Sequence, residues 1–161
     1  KGLSWFRDTG YAQLIEEIDK TEGSKPIAVI FNLGVNDLGN AGNYVSYMTS
    51  IASTLKSKNC KLFYMSVNPV NSTMITKTGR GARTEAQVRE FNSKIRSGLS
   101  LDYKYIDMYS VLMKKGYGTN ARYDGVDDGD DGLHYTTKTF KRIYYYCITY
   151  LNTGSINASY Y

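Results

Sequence analysis

A chain of 161 residues with 42% hydrophobic content and only two prolines can bury a single core, which excludes a disordered protein. Its net charge of +5 comes from lysines and arginines scattered singly, with no tract of five or six, so the basic balance reads as a solvated surface rather than a nucleic-acid interface. No apolar run approaches the roughly 18 residues of a membrane span, and the opening KGLSWF does not read as a charged start followed by an apolar core.

In chain order, YAQLIEEIDKTE carries Leu14, Ile15 and Ile18 at helical spacing and is stopped by GSKP. IAVIFNL is continuous, apolar and partly β-branched, the pattern of a strand buried on both faces. After the turn-rich GVNDLGNAGN, the segment YVSYMTSIASTLKSK predicts a helix with Val45, Met48, Ile51, Ala52 and Leu55 on its apolar face. KLFYMSV repeats the strand pattern. NPVNSTMITKTGRGAR is rich in turn formers and long enough to be a surface or functional loop.

TEAQVREFNSKIRSGL places Val88, Phe91 and Ile95 on one helical face and ends at Gly98 before a third short strand, YKYIDMY. Residues 114 to 131 are glycine- and aspartate-rich and irregular. TTKTFKRIYYYCITYL closes the pattern as a helix with Phe140, Ile143, Cys147, Tyr150 and Leu151 facing inward. Strand and helix alternate throughout, which predicts an α/β fold: three layers, αβα, flavodoxin-like, a parallel sheet with helices on both faces. One domain is expected over residues 1–151, followed by a polar tail at 152–161. In such sheets functional groups gather beyond the carboxyl ends of the strands, where both polar clusters, GVND and DGLH, fall in this pattern.

Read as residues alone, Gly34, Val35, Asn36 and Asp37 are turn chemistry, since Gly and Asn tolerate unusual backbone angles and Asn or Asp can bond their own backbone. The chain has one histidine, His134, so any mechanism that needs an imidazole base must use it. Asp131 lies three residues earlier, and the intervening Gly132 lets the backbone fold so that a carboxylate reaches His134 Nδ1. The alternative is a surface or capping histidine. Cys60 and Cys147 lack metal-ligand spacing and read as buried thiols, with one disulfide as the alternative in a secreted protein. Asp124, Asp127, Asp128, Asp130 and Asp131 invite a calcium reading, but the D-x-D-x-D-G order is not met, and the expectation is a solvated acidic loop with no metal. No Gly-rich loop of the G-x-G-x-x-G or P-loop type follows a strand, which disfavours nucleotides. The 16 tyrosines fit an extracellular or cell-surface, sugar-facing protein as well as ordinary amphipathic helices.

GVND followed about a hundred residues later by DGLH at the start of the last helix resembles the SGNH (GDSL-like) hydrolase family, whose four blocks carry Ser, Gly, Asn and His. The resemblance implies that Asn36 is an oxyanion-hole donor, with Gly34 and Asp37 supporting its loop, and that Asp131 and His134 are the acid and base of a catalytic triad. The family's loop glycine has Gly2 as its counterpart. The Gly-Asp-Ser block of the first strand has no match in this chain. Ser4 is a poor substitute because no strand precedes it to build a strand-to-helix elbow. The resemblance therefore implies a segment preceding Lys1 that supplies the nucleophilic serine and two strands, one of them pairing with the strand at 27–33. It further implies an esterase acting without a cofactor on short acyl esters, such as acetyl groups on carbohydrate. The competing reading is an inactive glycan- or protein-binding module on the same scaffold, with the tyrosines and the loop from Met74 to Arg83 as its contact surface.

Overall fold

A computed structural model describes residues 1–117 and 131–156. The expected α/β class is what the structure has. Strands β1 (Ile27–Phe31), β2 (Cys60–Met65) and β3 (Lys104–Ile106) form a parallel sheet in the order β1-β2-β3, in keeping with the flavodoxin-like expectation. In the first pair Ile27 stands opposite Cys60 and Phe31 opposite Tyr64. The described residues divide into two compact units, Lys1–Val67 with Glu90–Tyr105, and Asn68–Arg89 with the chain from Ile106 onward.

In the first unit the helical backbone begins well before Tyr11. A short α1 (Leu3–Trp5) runs through a π-helical stretch (Phe6–Gly10) into α2 (Tyr11–Lys20). The early start has an aromatic cause: Phe6 is buried and meets Phe31 and Tyr47 edge to face, at centroid distances of 5.5 and 6.0 Å. Helix α3 (Ala41–Ser57) buries Tyr44, Met48, Ile51, Ala52 and Leu55, while Val45, expected inside, is only half-buried. Tyr44 lies against Phe91 of α5 (Glu85–Gly98), with ring centroids 5.2 Å apart. A Cβ on Gly98 would come within 2.6 Å of Val45, so a bare glycine is what lets the end of α5 close on α3.

Side-chain amides and hydroxyls then fix the carboxyl ends of the strands. Asn32 Nδ2 donates to the Ser66 carbonyl at 2.9 Å, and the Tyr64 hydroxyl donates to the Leu33 carbonyl at 2.9 Å. Asn92 grips Val67 from both sides, accepting its N–H at 2.8 Å and donating to its carbonyl at 3.0 Å. These groups take up backbone positions that the strands leave unpaired, where an unmet buried polar group costs about 1–3 kcal/mol.

In the second unit the segment read as a long loop contains a helix, α4 (Ser72–Lys77), started by Asn71, whose side chain accepts from Met74 N–H at 3.1 Å. The third strand is shorter than its sequence pattern. It stops at Ile106 because Asp107 caps a further helix, α6 (Met108–Lys114), by accepting from Ser110 N–H at 3.1 Å. The last helix, α7 (Thr137–Thr153), ends at Gly154 with φ +75°. It buries Thr139, Ile143, Tyr146 and Cys147, but Phe140, expected inside, is 51% exposed, and Tyr150 and Leu151 are half-buried. Phe140, Tyr144 and Ile148 share an i, i+4, i+8 stripe that faces outward. Cys60 and Cys147 are both buried thiols, and burial pushes that of Cys147 up to about 11.

Candidate functional site

In the first unit the turn after β1 is built around a glycine whose place a side chain could take only with strain. Gly34 has φ +122°, and a Cβ there would lie 2.3 Å from the fully buried ring of Phe91. The sequence gives Gly34 turn chemistry and a place supporting the Asn36 loop; the structure adds that its bare Cα makes room for Phe91. The turn is closed by Asp37 N–H donating to the Gly34 carbonyl at 2.9 Å.

Asp37 braces this turn against the N-terminal segment. Its Oδ2 accepts from Leu3 N–H and from the Tyr44 hydroxyl, each at 2.8 Å. Burial and the bond to Asp37 both hold the Tyr44 phenol above its ordinary pKa, so it remains a donor. A Cβ on Gly2 would fall 2.2 Å from Asp37 Oδ2, which explains glycine at that position without any unusual φ. Asn36 is exposed, and its Nδ2 donates to the Lys1 carbonyl at 3.1 Å. The sequence-derived pair Asn36 and Gly2 is thus brought together through the stretch Lys1–Leu3. Ser4 is exposed on α1, in helical backbone rather than at a strand-to-helix elbow.

In the second unit Asp131 and His134 form a direct pair. His134 Nδ1 lies 2.6 Å from Asp131 Oδ2, while Asp131 Oδ1 accepts the backbone N–H groups of Leu133 at 2.9 Å and His134 at 2.8 Å. Burial pushes the Asp131 carboxyl up, but these hydrogen bonds outweigh it and hold the acid at about 2. The group is therefore an anion at neutral pH. It fixes the imidazole tautomer with the proton on Nδ1, leaving Nε2 as the basic nitrogen of a ring whose side chain is 67% exposed.

The loop that carries the pair is clamped from below. Gly132 has φ +76°, and a Cβ there would lie 2.5 Å from the Asn71 carbonyl and 2.9 Å from Ile75 N. Asn71 N–H donates to the Gly132 carbonyl at 2.8 Å, the Thr78 hydroxyl donates to the Asp131 carbonyl at 3.3 Å, and the Tyr135 hydroxyl donates to the Pro69 carbonyl at 2.7 Å. That clamp is itself held by Glu85, which accepts from Val70 N–H at 2.5 Å and from the Tyr109 hydroxyl.

No protein-family model matches the chain, and no curated protein matches it.

Sequence reasoning missed two features of this unit. Arg80 Nε approaches Asp131 Oδ2 at 3.4 Å, placing a cation beside the oxygen that faces His134. The signal is the long loop itself, which reads as a surface or functional loop with nothing in the sequence pairing it with DGLH. Asn68, just past β2, has a buried Oδ1 with no partner among the described residues. Nothing in its sequence context distinguishes it from an ordinary Asn-Pro turn. The calcium reading rested on Asp124, Asp127, Asp128 and Asp130, which lie outside the described residues. Among the described residues no group of three or more His, Cys, Asp or Glu is placed to hold a metal, and no helix is long and apolar enough to cross a membrane.

Proposed function

We propose that the protein is a serine ester hydrolase of SGNH type acting on short acyl esters, acetyl groups on carbohydrate above all. The observation that carries this reading is the Asp131–His134 pair: a carboxylate held ionised at about 2 and bonded at 2.6 Å to the Nδ1 of the chain's one imidazole. That is the arrangement a hydrolase base requires, with the ring oriented and the imidazolium stabilised by a fixed anion.

In the reaction His134 Nε2 takes the proton of a serine hydroxyl as the serine oxygen bonds to the ester carbonyl carbon, whose π electrons move onto oxygen. Collapse of that alkoxide re-forms the carbonyl and breaks the bond to the alcohol, which leaves with the proton from Nε2. Water, deprotonated by the same nitrogen, then frees the acid and the serine. The serine is assigned to a segment preceding Lys1. Asn36 and Gly2 are assigned as donors to the alkoxide by their sequence blocks. No cofactor enters any step.

The same pair also reads as a local turn cap, because Asp131 Oδ1 accepts two backbone N–H groups. On that reading the protein is a binding module and the histidine an incidental surface residue. Hydrolysis of an aryl acetate by protein that includes the serine-bearing segment separates the two. His134→Ala is expected to lower the rate at least about a thousandfold. Retention of more than about a tenth of the rate removes His134 from the mechanism, and no hydrolysis by the parent protein favours the binding module.

A further inference from the structure

Beside the Gly34–Asp37 turn, the first unit contains a cleft of roughly 500 Å³ that the hydrolase reading leaves unassigned. Its walls come from two helical segments. Asn40, Asn43, Ser46 and Tyr47 line one side; Asn40 immediately precedes α3, and Asn43 and Tyr47 recur at i and i+4 on the flank of α3 beside its buried Tyr44–Met48–Leu55 stripe. Ser4 and Arg7 line the other, from the stretch where α1 passes into π-helical backbone, a local distortion common at functional sites.

The chemistry of this lining is neutral, although two charged residues border it. The Arg7 guanidinium is occupied by Asp8, at 2.8 Å through Nε, and Asp37 is occupied by Leu3 N–H and the Tyr44 hydroxyl. What the cleft offers are two carboxamides, two hydroxyls and a tyrosine ring. Among the described residues the side chains of Ser4, Asn40, Asn43 and Ser46 have no hydrogen-bond partner, and Asn40 does not cap the helix that it precedes. The Tyr47 ring is held by edge contacts from Phe6 and Tyr11, at 6.0 and 6.4 Å, so its position is set before any ligand arrives. Carboxamides and hydroxyls both donate and accept, as a sugar's hydroxyls do, and a fixed aromatic ring supplies an apolar surface for the C–H face of a pyranose.

We infer that this cleft is a binding site for a neutral sugar ring. The ring hydroxyls bond to Asn40, Asn43 and the two serines, and Tyr47 packs against the ring. An anionic ligand finds no uncommitted cation there, and an apolar acyl chain would strand four polar side chains.

The test reads binding alone, so that it does not depend on hydrolysis. Titration with xylotriose, followed through the emission of Trp5, the only tryptophan, and by amide chemical shifts, is expected to saturate with a Kd of about 1–10 mM. The double variant Asn40→Ala/Asn43→Ala is expected to weaken binding at least tenfold. Both asparagines are exposed, so a far-UV spectrum and melting curve unchanged from the parent show that the variant is folded. Absence of saturation up to about 50 mM xylotriose overturns the inference, as does undiminished binding by the folded double variant. Tighter binding of trigalacturonate than of xylotriose also overturns it, because the cleft would then be selecting charge. Protein that includes the serine-bearing segment and binds xylotriose in this way but fails to hydrolyse aryl acetates keeps the cleft and loses the hydrolase reading.

Discussion

Replacing Asp131 with Asn isolates the charge of the pair while keeping its shape. The amide oxygen still accepts from Leu133 and His134 N–H, so the turn stays closed and the variant imitates the protonated acid. Burial opposes the anion in the parent, yet the hydrogen bonds from His134 and Leu133 hold the carboxyl at about 2 against an ordinary 3.8. Linkage converts that drop into about 2 kcal/mol of folding stability, and with the side chain only 13% exposed little of it is lost to solvent screening. Because the folded acid is the stronger one, the contribution is complete above the unfolded value near 3.8 and disappears as pH falls through about 2. Roughly half of it should remain at pH 3. Urea unfolding of parent and variant at pH 7, 5 and 3, followed by far-UV circular dichroism, should therefore show a gap of about 2 kcal/mol at neutral pH that narrows to about 1 kcal/mol at pH 3. A gap that stays constant with pH, or one under about 0.5 kcal/mol at pH 7, refutes the claim that Asp131 is held ionised by its hydrogen bonds.

Gly34→Ala should destabilise by about 3 kcal/mol, since the new methyl meets Phe91 and the backbone is held at φ +122°; a loss under about 1 kcal/mol in urea would show that the turn relaxes freely. Asn36→Ala should cost about a hundredfold in hydrolytic rate while moving the melting temperature by no more than about 2 °C; the opposite pattern would make this asparagine a structural turn residue tied to Lys1. Millimolar calcium should raise the melting temperature by no more than about 2 °C, and a larger rise reversed by chelator would restore the metal reading of the aspartate run.

The strands and four of the helices, α2, α3, α5 and α7, could be read from the sequence because burial dictates them. Val88, Phe91 and Ile95 are fully buried, as their spacing requires, and the apolar runs at 27–31 and 60–65 pair as a parallel sheet. The failures have a different origin. Helices α4 and α6 are too short for periodicity to show, and each is started by a single capping side chain, Asn71 and Asp107. Phe140 was placed inside because an aromatic at helical spacing reads as core, but the inward stripe of α7 runs through Thr139, Ile143 and Tyr146.

For the site, a local pattern was enough when both partners lay within one loop. Asp131 and His134 sit three residues apart with Gly132 between them, and the positive φ at Gly132 is what allows the 2.6 Å contact. Contacts across long separations left no such mark. Arg80 is 51 positions from Asp131, and Gly34 owes its identity to Phe91, 57 positions away. The glycine shows why the distinction matters for function. A glycine at the end of a strand signals close approach, but its own sequence neighbourhood cannot say whether the approaching group is a substrate or a ring from the protein's own core. At Gly34 the ring is there, 2.3 Å from where a Cβ would stand, so this glycine is explained by packing, and the case for catalysis rests on Asp131 and His134 without it.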